Sequence, residues 1–195
     1  GGRDLGADVR GLATREAIHR LEADPAIELM VLVSKPPDED VAAEIRELVA
    51  GLSTPVEMAL LGAGHTDLTE ATEALLTARG VALPEWPVVG TAAPATSGRL
   101  LRGLFVGGTL ASEARIVATG LLGADSAHTF VDFGDDAYTA GRAHPMIDPT
   151  LRLEHLARAA TDPETAVLLL DVVLGHGAEP DPSALLAPAV AAIDK

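Results

Sequence analysis

The chain contains no cysteine, which excludes disulfides, thiolate zinc sites and a cysteine nucleophile. Aromatic residues are nearly as scarce: three Phe, Trp86 and Tyr138 are the whole supply. With 48% of residues apolar, the core must be built from Val, Leu, Ile and Ala. That composition suits buried parallel strands under Ala/Leu-rich helices. Cations are few as well, 14 Lys and Arg against 29 Asp and Glu, for a net charge of −15. They fall evenly, seven up to Gly98 and seven after it, with no basic stripe in either half. This argues against nucleic-acid binding, which needs clustered cations, and an anionic membrane surface would repel the chain. No apolar run reaches the roughly 18 residues of a membrane span, and Gly1–Val9 does not read as a signal peptide. The expectation is a soluble, cytoplasmic protein.

What is present is an alternation of helix and strand signals. Leu12–Leu21 has helical periodicity and ends before Asp24-Pro25. The apolar run Ile27–Val33 has strand length. Ser34-Lys35-Pro36-Pro37 forbids helix, which resumes over Asp38–Val49. Pro55–Leu61 reads as a second strand and Gly62-Ala63-Gly64 as a turn, with Thr66 or Asp67 capping a helix to Arg79. Gly80–Val89 reads as a return toward the sheet, with room for a short strand at either end. The small, polar stretch 91–98 reads as a linker between domains 1–90 and 99–195.

The pattern then restarts. Leu101–Val106 is a strand, Gly107-Gly108 a turn and Thr109–Thr119 a helix. Thr129–Phe133 is a strand, followed by a long loop from Gly134 to Ile147. Asp148-Pro149 predicts a helix opened by an acidic cap with proline at its first position. Thr165–Val173 is the last strand, Gly175-His176-Gly177 a turn, and Asp181-Pro182 opens the final helix. The order helix, Asp-Pro, strand, turn and helix occurs in both halves, around Asp24-Pro25 and Asp162-Pro163. Two related βα domains with parallel sheets follow, and ligands of such sheets bind at the strands' carboxyl ends.

Several segments resemble a known superfamily. Gly1-Gly2-Arg3-Asp4-Leu5, Leu21–Pro25 and Val31–Pro37 resemble the second domain of the succinyl-CoA synthetase α subunit, most closely its FdrA relatives. Gly103–Leu110, Phe130–Asp136, His144–Pro149 and Asp171–Gly177 are similar to the carboxy-terminal domain of the β subunit. The resemblance implies an α/β protein of two flavodoxin-like parallel-sheet domains. It also implies a CoA-binding amino-terminal domain that this chain lacks. Gly1-Gly2 then reads as the turn after a missing strand, and Ala187–Lys195 as a helix feeding another, so a fragment of a longer protein is expected.

The family's synthetases relay phosphate through a histidine in a Gly-His-Ala-Gly segment. Here only five residues separate Leu61 from Asp67, and that segment is absent. His65 lies in the gap and reads as a solvated pre-helix residue. His176 superficially resembles the missing motif and reads either as catalytic or as an exposed turn histidine. Gly175 and Gly177 around it are candidate binding residues, since the resemblance implies a glycine anion turn after this strand. The resemblance also implies two helix N-termini aimed at the phosphate. In this chain one carries Pro36-Pro37-Asp38-Glu39-Asp40 and the other Pro180-Asp181-Pro182, where proline removes donors and acid fills the positive end.

Gly107-Gly108-Thr109 is a better anion cradle: no acid follows until Glu113, and Arg102 and Arg115 are expected nearby. Tight-turn packing is the competing account of these glycines. Asp132, Asp135 and Asp136, with His144 and Asp148, form the densest polar cluster. Asp132, Asp135 and Asp136 are candidate Mg²⁺ ligands, while Asp132 and His144 are candidate acid/base groups. The plainer account makes Asp148 a cap and Asp135 and Asp136 turn residues.

The resemblance implies acyl transfer through phosphate or thioester, with CoA reached through the absent domain. A carbamoyltransferase subunit of the oxamate type, in purine and allantoin catabolism, is the alternative. A non-catalytic module that docks partner subunits or further copies is the rival from another class. In the first two cases the substrate is a small anion.

Overall fold

A computed structural model describes residues 3–62, 67–91, 97–124 and 127–193. His65 and most of the expected linker 91–98 lie outside the described residues. The chain forms two compact units, Gly1–Val88 and Val89–Lys195, so the division falls just ahead of that linker. It is an α/β protein with two small parallel sheets, as expected. No helix among the described residues is long and apolar enough to cross a membrane.

The first unit comprises α1 (Leu12–Glu22), β1 (Met30–Ser34), α2 (Glu39–Ala50), β2 (Val56–Leu60) and α3 (Leu68–Ala78). β1 and β2 pair in parallel, Met30 opposite Val56 and Ser34 opposite Leu60. The buried residues Val41, Ala42 and Ile45 lie at helical spacing on one side of α2. They pack with Leu5, Ile18 and Leu60 into the unit's core. α1 starts on Gly11 at φ 73°, and a Cβ there would lie 3.1 Å from Leu5 Cδ2 and 3.2 Å from Ile45 Cδ1. Only glycine meets both the dihedral and the crowding. The expected return strand over Gly80–Val89 does not form: residues 81–89 are irregular and exposed. Pro84 and Pro87 remove two ladder donors there.

The second unit comprises β3 (Leu100–Phe105), α4 (Gly108–Leu122), β4 (Thr129–Asp132) and the short α5 (Asp136–Thr139). It continues with α6 (Thr150–Thr161), β5 (Thr165–Leu170) and α7 (Pro182–Ala191). Its sheet runs β4-β3-β5, all parallel. The unit's first strand is therefore central, the order with which flavodoxin-like sheets begin, and the switch point lies between β3 and β5. Phe133, Leu104 and Leu156 form its core. Asp148-Pro149 departs from expectation. α6 begins at Thr150, because the Pro149 carbonyl already accepts from Leu153 N–H at 2.9 Å. Proline is thus the half-in cap residue, one place earlier than predicted.

Candidate functional site

Parallel register sets the site. Phe105 stands opposite Asp132 across β3 and β4, and Leu104 opposite Leu170 across β3 and β5. The three chains therefore leave the sheet at the same end. There the Asp171 carboxylate reaches back across the switch point to the glycine turn. Its Oδ1 accepts from Val106 N–H at 2.9 Å and its Oδ2 from Gly107 N–H at 2.8 Å.

Arg152 of α6 completes this arrangement. Its Nε donates to the Leu104 carbonyl at 3.0 Å, and Nη2 donates to the Asp171 carbonyl at 2.7 Å and to Oδ1 at 3.0 Å. Both side chains are only 4% exposed. Burial pulls the Arg152 pKa down, and the Asp171 charge opposes that shift. The ion pair ties β3, α6, β5 and the turn into one network, and the opposite charges cancel locally. Neither residue is assigned a role from the sequence. The available signal was spacing: Arg152 lies four residues before Leu156, so both face the core.

The glycine turn differs from every other helix start described. In α1 the Asp4 carboxylate accepts from Ala13 and Thr14, and in α2 Asp38 accepts from Asp40 and Val41. Asp67 closes α3 in a reciprocal box with Glu70. Asp135, Asp148 and Asp181 accept from first-turn amides of α5, α6 and α7. α4 has no side-chain cap, and Asp171 stops at Gly107. The N–H groups of Gly108, Thr109 and Leu110 thus face the positive end of a 15-residue helix without a carboxylate.

His144 and Asp132 come together at Gly134. A Cβ on that glycine would lie 2.6 Å from His144 Nε2, 2.9 Å from the Val106 carbonyl oxygen and 3.1 Å from Asp132 Oδ1. His144 Nδ1 accepts from Met146 N–H at 3.2 Å, so the neutral ring carries its proton on Nε2, toward that junction. Asp132 Oδ1 accepts from Gly134 N–H at 2.9 Å. His176 stands apart as an exposed turn residue, followed by Gly177 at φ 82°. Gly175 lies under Met146, whose Cε would be 3.4 Å from a Cβ placed there.

The metal reading does not fit the donor set. Among the described residues no three His, Asp or Glu side chains are gathered to hold an ion. Asp135 instead caps α5, while Asp136 is its first residue. No step below passes through Mg²⁺. Arg102 and Arg115 are also engaged away from the glycine turn: Arg102 pairs with Asp162 at 3.1 Å, and Arg115 donates to the Phe130 carbonyl at 3.1 Å.

Space at the switch point is small. A cavity of about 20 Å³ lies among Val106, Met146, Arg152, Val173 and Glu179, room for about one water. The loops close over it through Glu179 N–H, which donates to the Met146 carbonyl at 2.8 Å. A larger cavity, about 660 Å³, opens beside α4 at the amino end of β4, around Arg115 and His128. Strand-end chemistry weighs more than volume here.

Residues 104–195 match the CoA-ligase family. The match runs from β3 through α7 and contains every group of the strand-end site. The chain is also similar to the uncharacterized protein YahF of Escherichia coli (strain K12), with 35% identity over 222 aligned positions. That alignment takes in 93% of this chain and 43% of YahF, so the chain spans less than half of that relative's length.

Proposed function

We propose that this chain is the CoA-ligase-like part of an FdrA-type acyl-CoA synthetase homologue. It transfers an acyl group carried as a phosphate or thioester, without a phosphohistidine. The observation that carries this reading is the uncapped start of α4, inside the CoA-ligase match and at the switch point. Six described helices have a carboxylate on their first-turn amides, and the one opening from Gly107-Gly108-Thr109 does not. An anionic oxygen of the substrate takes the N–H groups of Gly108, Thr109 and Leu110. The Asp171 charge does not oppose it, because Arg152 neutralises that carboxylate. Asp132 gives or takes the proton as the acyl bond is exchanged, and the His144 Nε2–H beside it donates a hydrogen bond to the oxygen that gains charge. Substrate entry requires the Met146–Glu179 hydrogen bond to open. CoA belongs to a domain outside this chain in the resembled family, and no residue here is assigned to it.

The carbamoyltransferase reading draws on the short connection between Leu61 and Asp67, which has no room for a phosphate-relay loop. It favours a donor that arrives already activated. Docking of partner subunits draws on β5, an edge strand whose Val167 and Leu169 are exposed.

The test uses the full-length protein with the products of neighbouring genes, supplied with CoA and ATP or with carbamoyl phosphate. Asp132→Ala and His144→Ala are expected to lower turnover about 100-fold or more while the protein stays folded. Wild-type turnover in both variants would remove the site. Stoichiometric labelling of His65 or His176 from labelled ATP would overturn the reading without phosphohistidine. Turnover with carbamoyl phosphate alone would select the transferase. A stable complex that turns over nothing would leave the assembly role.

A further inference from the structure

A third cavity lies against the 141–149 loop and takes no part in the chemistry above. It holds about 350 Å³, within the range of small-ligand pockets. Its floor is Phe133 and Leu151, with the Tyr138 ring 5.2 Å from that of Phe133. Its polar rim is Tyr138, Arg142 and Asp148.

These three groups have capacity to spare. Among the described residues neither the Tyr138 hydroxyl nor the Arg142 guanidinium makes a hydrogen bond. Asp148 is held in place by Thr150, whose N–H and hydroxyl donate to Oδ1 at 3.0 and 2.6 Å. Oδ2 makes neither bond. The two Thr150 bonds hold the Asp148 pKa below its ordinary value, with the nearby Arg142 charge adding to the effect. Yet no close ion pair joins Arg142 to Asp148. One pocket thus keeps a cation and an anion near each other and unjoined, above an aromatic floor.

We infer that this pocket binds a small zwitterion, a free amino acid with an apolar side chain. The carboxylate takes the Arg142 guanidinium and the Tyr138 hydroxyl. The ammonium group donates to Asp148 Oδ2, and the side chain lies on Phe133 and Leu151. A simple carboxylate would meet Asp148 unpaired, and a simple amine would meet Arg142 unpaired. Each loses one charged contact and faces a like charge. The pocket therefore selects for both groups on one molecule. This inference is independent of the acyl-transfer reading.

The test is an amide NMR titration of the whole chain with L-phenylalanine, 3-phenylpropionate and 2-phenylethylamine. L-phenylalanine is expected to shift the amides of Tyr138, Gly141, Thr150 and Leu151 saturably. Each analogue should bind at least about 10-fold more weakly, the cost of one charged hydrogen bond. Arg142→Gln and Asp148→Asn should each weaken L-phenylalanine by a similar factor, and Asn retains an oxygen for the Thr150 bonds. Lack of saturable shifts with about 20 mM L-phenylalanine, a range that reaches beyond millimolar affinity, would overturn the proposal. So would equal binding of either analogue, a comparison that needs no variant to fold. Unchanged binding in both folded variants would do the same.

Discussion

The two units put a helix start in the same place, immediately after their first strand, and satisfy it in opposite ways. After β1, α2 opens on Asp38, whose Oδ1 accepts from Asp40 at 3.1 Å and Val41 at 3.2 Å. After β3, α4 opens on glycine, and its nearest carboxylate, Asp171, comes from 64 residues further along the chain. α2's positive end is filled locally by its own sequence. α4's is left open, and the turn before it is held by a remote, neutralised acid. A cap drawn from its own helix stabilises that helix and blocks an anion. A remote acid fixes the turn and leaves the first-turn amides available. The βα unit is shared, and the source of the carboxylate decides whether its end is closed by its own chain or open to an anion.

The largest break in this comparison is Arg152→Met. It removes the cation and leaves the Asp171 carboxylate buried against two amides. We expect a loss of about 3–5 kcal/mol, the usual cost of orphaning one member of a buried pair, read by urea unfolding. The loss should fall on the second unit, with the methyl signals of Val41 and Ile45 unchanged. A loss below about 1 kcal/mol, the scale of an exposed pair, would show that the pair does not hold the turn.

How much of this was legible in the sequence follows the same division. Asp38, Asp67 and Asp181 are caps next to the helices they serve, and each was readable from local spacing. The strands and the Gly107 turn were readable too, from apolar runs ended by glycine. Asp171 falls inside the expected strand Thr165–Val173, and nothing local to the sequence singles out Arg152. Their roles arise from strand order and crossover, which place β5 beside β3. Sequence separations of 19 and 64 residues carry no local signal. The metal cluster failed for the converse reason. Asp132, Asp135 and Asp136 are close in sequence, but one accepts from Gly134 and another caps α5.

A smaller effect is expected on the other side of the comparison. Asp38→Ala removes the α2 cap and should cost the first unit about 1 kcal/mol, measured by urea unfolding. It should leave the second unit unchanged. A loss as large as that of Arg152→Met would erase the distinction between a local cap and a buried network.

The smallest effect sharpens the comparison most, because it moves stability and binding in opposite directions. Thr109→Asp places in the first turn of α4 the carboxylate that the other helices already have. Thr109 is half-buried, and its amide is one of the three left facing the helix's positive end. An acid there interacts favourably with the helix dipole, so thermal unfolding should show a gain of about 0.3–1 kcal/mol. The same carboxylate occupies the position proposed for the substrate oxygen and repels a second anion. Added inorganic phosphate should therefore stabilise the wild-type chain and stabilise the variant less. Thr109→Asn separates the two causes, since it offers a similar shape without the charge and should retain the response to phosphate. If wild type and Thr109→Asp respond equally to phosphate, the open start of α4 is a structural feature alone. The strand-end site would then rest on His144 and Asp132 without an anion cradle.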